Sequence, residues 1–134
     1  MPEPQEQVSK KKILLIEDEP NVSELVKYRL EESNYEVDIA EDGYSALNKV
    51  RTFTPDLIIL DLMLPKIDGY TVCRLLKFND QFRHIPIIMF TARTNPDDER
   101  RGMECGADAY IPKPFEPKIL LDRIKGLIKT EATT

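Results

Sequence analysis

Short runs of consecutive apolar residues punctuate the chain, each bounded by polar or turn-forming positions: Ile13–Ile16, Leu57–Leu60, Ile87–Phe90 and the briefer Ala109–Ile111. Runs of this length suit strands buried on both faces. The segment Tyr35–Ala40 alternates instead, with Val37 and Ile39 set against Glu36 and Asp38. That spacing predicts a strand with a more exposed face, placed at a sheet edge. Between the strands the apolar period lengthens to that of a helix. Pro20 and Asn21 open a helix with Val22, Leu25, Val26 and Leu30 on one face. Residues 43–53 form a second, with Ala46, Leu47 and Val50 inward. Asp68 can cap a third, carrying Val72, Leu75 and Leu76. A weakly apolar helix over 97–105 has Pro96 near its first turn and Met103 as its main apolar residue. The last, over 116–129, carries a stripe of Leu120, Leu121, Ile124, Leu127 and Ile128.

Five strands alternating with five helices imply an α/β protein whose parallel sheet is covered on both faces. Right-handed crossovers limit this to a doubly wound sheet. In such sheets the ligand site lies beyond the carboxyl ends of the strands. The residues that follow each strand are therefore the ones to inspect. They are Glu17, Asp18 and Glu19 after the first, Asp61 after the third, Thr91 and Ala92 after the fourth, and Lys113 after the fifth.

Composition narrows the picture. The 134 residues fit one domain, read as a flexible N-terminal arm over 1–11, a folded unit over 12–130 and a short tail over 131–134. Nineteen basic residues against 24 acidic ones give a net charge of -5, which argues against a nucleic-acid binder. Cys73 and Cys105 stand far apart in sequence with no CxxC pattern, which predicts two half-buried thiols in a reducing cytoplasm. No apolar run is long enough to span a membrane, and the N-terminus lacks a signal segment. The expectation is a soluble cytoplasmic protein.

Three carboxylates at one rim repel one another unless a cation joins them. Mg²⁺ takes oxygen ligands and keeps several waters. Asp18 and Asp61 can ligate it directly, Glu17 through a water, and a backbone carbonyl just past Asp61 can add another oxygen. A carboxylate can also attack phosphorus and form an aspartyl phosphate. Asp61 is the best nucleophile, since it stands alone after the most apolar strand. Lys113 can bind a phosphoryl oxygen, Thr91 can donate to another, and Ala92 leaves the approach open. Singly, each residue reads as a cap, a turn or a solvated loop position. Their joint placement at the right strand ends carries the argument.

Together the segments Ile13–Glu19, Pro55–Pro65, Asp68-Gly69, Phe90-Thr91-Ala92, Gly106-Ala107-Asp108 and Lys113-Pro114-Phe115 resemble the receiver domain of two-component response regulators. The match runs from about Lys12 to Lys129, so the chain is expected to hold no output domain beside it. The resemblance implies a flavodoxin-like fold of strand order 2-1-3-4-5. It implies Asp61 as phosphoacceptor, and Glu17, Asp18, Asp61 and the Met63 carbonyl as the Mg²⁺ site. Thr91 resembles the switch hydroxyl, Tyr110 the aromatic switch residue and Lys113 the phosphate-binding lysine. A cis Lys113–Pro114 peptide is implied as well. Glu17 stands where the family commonly has Asp, and Met63 and Arg93 occupy positions that tune phosphoryl lifetime.

The implied function is a signalling switch, not an enzyme beyond its own phosphotransfer and dephosphorylation. A histidine kinase or histidine phosphotransfer protein would donate the phosphoryl group. Thr91 would then move toward it, Tyr110 would rotate inward, and the surface of the fourth helix, fifth strand and fifth helix would change. The partner downstream would be a protein effector or an output domain. The chain would be a monomer or a phosphorylation-dependent homodimer, binding neither nucleic acid nor membrane. His84, the only histidine, precedes the fourth strand and reads as a surface loop residue. Two rivals fit less well. A haloacid-dehalogenase-like phosphatase needs a second Asp where Met63 stands, and a flavin carrier would have its phosphate repelled by Glu17-Asp18-Glu19.

Overall fold

A computed structural model describes residues 10–92 and 96–128. The five apolar segments form β1 (Lys12–Ile16), β2 (Glu36–Ala40), β3 (Leu57–Leu60), β4 (Ile87–Thr91) and β5 (Ala109–Pro112). They alternate with α1 (Pro20–Glu32), α2 (Gly43–Phe53), α3 (Gly69–Lys77), α4 (Pro96–Glu104) and α5 (Pro117–Leu127). All strand pairs are parallel, and the order is β2-β1-β3-β4-β5. The alternating segment is at an edge, as its polar positions require.

Side chains of a strand alternate between the two faces of its sheet. Ile13, Leu15, Leu57, Ile59, Ile88 and Phe90 therefore pack with Val26, Leu30, Leu120 and Ile124 of α1 and α5. Leu14, Ile16, Ile58, Leu60, Ile87 and Met89 pack with Ala46, Val50, Val72, Cys73 and Leu76 of α2 and α3. Every one of these strand residues is fully buried. Two helix starts are capped by carboxylates: Asp42 accepts from the Ser45 amide at 2.8 Å, and Asp68 from the Thr71 amide at 3.0 Å. Such a cap contributes about 1 kcal/mol.

Several expectations need correction. Leu25 and Leu75 are about half exposed. The α1 stripe that meets the sheet is Val22, Val26 and Leu30, spaced by four, and Leu25 lies round its edge. On α3 the inward residues are Val72, Cys73 and Leu76, which leaves Leu75 outside. Both cysteines are buried rather than half-buried, and the fold brings them together. The Cys73 thiol donates to the Cys105 carbonyl at 3.5 Å, and burial pushes that thiol up to about 12, so it is inert. Met103, the main apolar residue of α4, is itself 46% exposed. In its place Gly102 is buried, its Cα facing Met89 and the Tyr110 ring, and the Arg101 guanidinium lies 4.0 Å from the centre of the Tyr70 ring. The last helix ends at Leu127 instead of 129. Most of the arm, the tail and Arg93 lie outside the described residues.

The chain leaves α4 through Gly106, whose φ of +102° suits only glycine. A methyl group there would meet the Lys77 side chain at 2.8 Å. Lys77 is itself fixed, donating to the Ile85 carbonyl at 2.8 Å and pairing with Asp108 at 3.0 Å. Gly106→Ala should therefore lower the stability by about 1–2 kcal/mol, read as a lower urea midpoint at unchanged slope.

Candidate functional site

The sheet ladder delivers the acidic residues to its rim. One residue beyond β1, the Glu17 amide donates to the Ala40 carbonyl at 2.9 Å. One residue beyond β3, the Asp61 amide donates to the Ile16 carbonyl at 2.9 Å. Beyond β5, the Lys113 amide donates to the Thr91 carbonyl at 2.7 Å, and the Lys113–Pro114 peptide is cis. Strand alternation puts Glu17, Asp61 and Lys113 on the side of α1 and α5. The same count sends Thr91, two residues after Met89, to the opposite side with Tyr110.

Glu17 is 1% exposed and Asp61 4%, whereas Asp18 is exposed. One carboxylate oxygen from each of the three lies within 4.8 Å of the others. The Lys113 ammonium enters this cluster. It donates to Asp61 Oδ2 at 3.2 Å and lies 2.8 Å from Glu17 Oε1. The second contact is a close ion pair that holds a fully buried carboxylate oxygen. Backbone amides hold the other oxygens: Glu19 donates to Glu17 Oε2 at 3.2 Å and Met63 to Asp61 Oδ1 at 3.1 Å.

Gly69 brings α3 against this corner. Its amide donates to the Leu62 carbonyl at 2.9 Å, and a Cβ would stand 2.6 Å from the Asp61 carbonyl oxygen. The close approach to the Asp61–Leu62 backbone thus requires glycine. Thr91 is fully buried at the end of β4 and Ala92 is exposed beside it. Tyr110 is half-buried on β5, away from the rim. His84 is exposed at the amino end of β4, far from the acids in the topology.

Burial and the charge of Asp61 push the Glu17 carboxyl up to about 7, against the pull of the Lys113 ammonium. Burial opposes the charge on Lys113, but its contacts with Glu17 and Asp61 outweigh that and its pKa is raised. Three converging carboxylate oxygens, in a cluster that resists carrying its full negative charge, make the donor set of a hard divalent cation. The residues present fit such an ion.

Two hollows flank the cluster. A small one, of about 190 Å³, is lined by Glu17, Asp18, Glu24 and Glu41. A larger apolar cleft of about 560 Å³ opens beside Lys113, walled by Val22, Leu25, Ala92 and Phe115 with Phe90 at its floor. The cleft did not emerge from the sequence. An apolar residue off the main stripe of α1, Leu25, is the signal that could have shown it.

The chain belongs to the response regulator receiver domain family, whose model matches residues 13–125. It is 45% identical over 119 residues to the alkaline phosphatase synthesis transcriptional regulatory protein PhoP of Bacillus subtilis, covering 89% of this chain and 49% of that protein. The receiver domain of a signal transduction histidine kinase from Syntrophus aciditrophicus superposes with a TM-score of 0.83 at 38% identity, over 92% of this chain and 97% of that one. The BeF3-activated N-terminal receiver domain of RstA from Klebsiella pneumoniae gives 0.84 at 32% identity, over 90% and 100%. The chain spans about half the length of the curated relatives it matches. No helix among the described residues is long and apolar enough to cross a membrane.

Glu17 generates a pH prediction. Its folded pKa lies above the unfolded value of 4.5, so the folded state binds the proton more tightly. Its burial as an anion costs stability above about pH 7, and the cost is relieved as pH falls through 7 toward 4.5. With divalent ions chelated, the native protein should gain stability relative to Glu17→Gln between pH 8 and pH 5. The gain should be on the order of 1–3 kcal/mol, read from paired urea titrations.

Proposed function

We propose that the chain is a phosphorylation-driven switch with Asp61 as its phosphoacceptor. The observation that carries the reading is the Lys113 ammonium set between two nearly buried carboxylates on adjacent strands, in a chain of this family. A histidine kinase or histidine phosphotransfer protein presents a phosphohistidine. An Asp61 carboxylate oxygen attacks phosphorus, the P–N bond breaks, and the imidazole leaves with the bonding electrons. Glu17, Asp18, Asp61 and the Met63 carbonyl would hold Mg²⁺, which when bound offsets charge on the phosphoryl oxygens. Lys113 binds a further phosphoryl oxygen, and exposed Ala92 leaves its path clear. The donor docks over the apolar cleft that opens beside Lys113, where Leu25 is half exposed.

The readout lies on the other side of the sheet. Thr91 turns its hydroxyl toward the new phosphoryl group, and Tyr110 follows into the space vacated. The Tyr110 ring packs against Gly102, the buried residue of α4, so its motion reaches that helix directly. Little apolar surface holds α4, which favours its displacement. The changed α4–β5–α5 surface then meets a protein effector or output domain, or a second copy of the chain. We place this in the cytoplasm, where the donor kinases expose their histidines. The acidic chain itself binds no nucleic acid.

The test uses the whole chain with a small acyl phosphate donor. A one-phosphoryl mass gain should appear that needs Mg²⁺, is lost to hydroxylamine and is absent in Asp61→Asn. Equal labelling of that variant would refute the assignment. Mg²⁺ affinity should also fall as pH drops through about 7, because the Glu17 carboxyl takes up a proton that the metal must displace. Calorimetry in two buffers of different ionisation heat would show the released proton.

A further inference from the structure

We propose that Phe90 is a positioning residue for Lys113: the face of its ring supports the ammonium as it shifts from the carboxylates to an incoming phosphoryl group. The proposal rests on the reading of Asp61 as phosphoacceptor. Lys113 Nζ lies 5.2 Å from the centre of the Phe90 ring, inside the ~6 Å range in which an aromatic face attracts a cation. That ring is fully buried and cannot wander. Phe115 meets it nearly edge-on, with centres 5.2 Å apart and planes at 75°, and so fixes its tilt. The ammonium is thus bounded by Glu17 and Asp61 on one side and by an aromatic plane on another.

The arrangement suits a cation that must change partners. Its side chain is only 17% exposed, so water cannot easily replace a lost contact. Hydrogen bonds to carboxylates are directional and weaken steeply as the ammonium turns away. Attraction to a ring face acts across the whole plane. The ammonium can re-aim toward a phosphoryl oxygen on Asp61 without passing through an unpartnered state. An aliphatic side chain at position 90 would keep the site apolar but give no such support. Strand alternation places Phe90 for this role, two residues after Ile88 and on the same side of the sheet as Asp61 and Lys113.

Fluorination separates the two roles, because it weakens the negative face of a ring while nearly preserving its shape. Phenylalanine with successively more fluorines is incorporated at position 90 of the full chain, alongside Phe90→Leu. Phosphorylation by a small acyl phosphate with Mg²⁺ should slow stepwise with each fluorine, by about two- to thirtyfold across the series, while the melting temperature stays level. Phe90→Leu should be as slow as the fully fluorinated protein. A second readout needs no phosphorylation: the Lys113 ε-methylene protons should show an upfield ring-current shift that Phe90→Leu abolishes. A rate constant to within about twofold across the series, or native ε-protons without that shift, would overturn the proposal. Failure of the native chain to take up phosphate would instead refute Asp61 as acceptor, and the proton shift alone would then decide whether the ring holds the ammonium.

Discussion

A parallel sheet forces its strand ends together, and here that places Glu17 and Asp61 side by side with almost no access to water. The Lys113 ammonium is the counter-charge that makes the arrangement tenable. Remove it and two buried carboxylates face each other directly, a state that costs several kcal/mol unless a proton or a cation intervenes. The same residue also continues the path of the chain after β5. Its own amide continues the ladder to Thr91, and the cis peptide that follows turns the chain into α5. Fold and chemistry are therefore joined at one group.

The two faces of the sheet divide the labour. On the side of α1 and α5 lie the carboxylates, the lysine, the Phe90 floor and the apolar cleft, held by β3 and β4, which are buried on every residue, and by β1, buried on all but Lys12. On the other side α4 meets Tyr110 through Gly102, and its Arg101 guanidinium stacks on Tyr70 of α3. A well-fixed acidic cluster beside a lightly held helix suits the proposed switch, since the weakly packed element is the one a local charge change can move.

Strand positions and the edge place of β2 were readable because continuous apolar runs and one alternating run have few ways to pack, whereas the full strand order came from the family resemblance. The rim residues were readable for the same reason, since chemistry in this architecture collects at strand ends. What could not be read depends on angle and neighbour. Leu25 and Leu75 are apolar and near the helical stripe, yet each falls on the outside by a rotation that spacing alone does not resolve. Cys73 and Cys105 are neighbours only through the packing of α3 beside the turn after α4. The exposure of Met103 and the stacking of Arg101 were hidden because α4 carries so few apolar residues that no core face is marked. The Phe90–Lys113 contact joins residues 23 positions apart, through a register that only the folded sheet defines.

Lys113 and a divalent cation would compete for the same carboxylates. The direct measurement is a Mg²⁺ titration of the native chain and of Lys113→Met, followed by calorimetry at pH 8. Mg²⁺ should bind the variant more tightly, because the ammonium no longer offsets the charge of Glu17 and Asp61. Binding that is unchanged or weaker in Lys113→Met would contradict it.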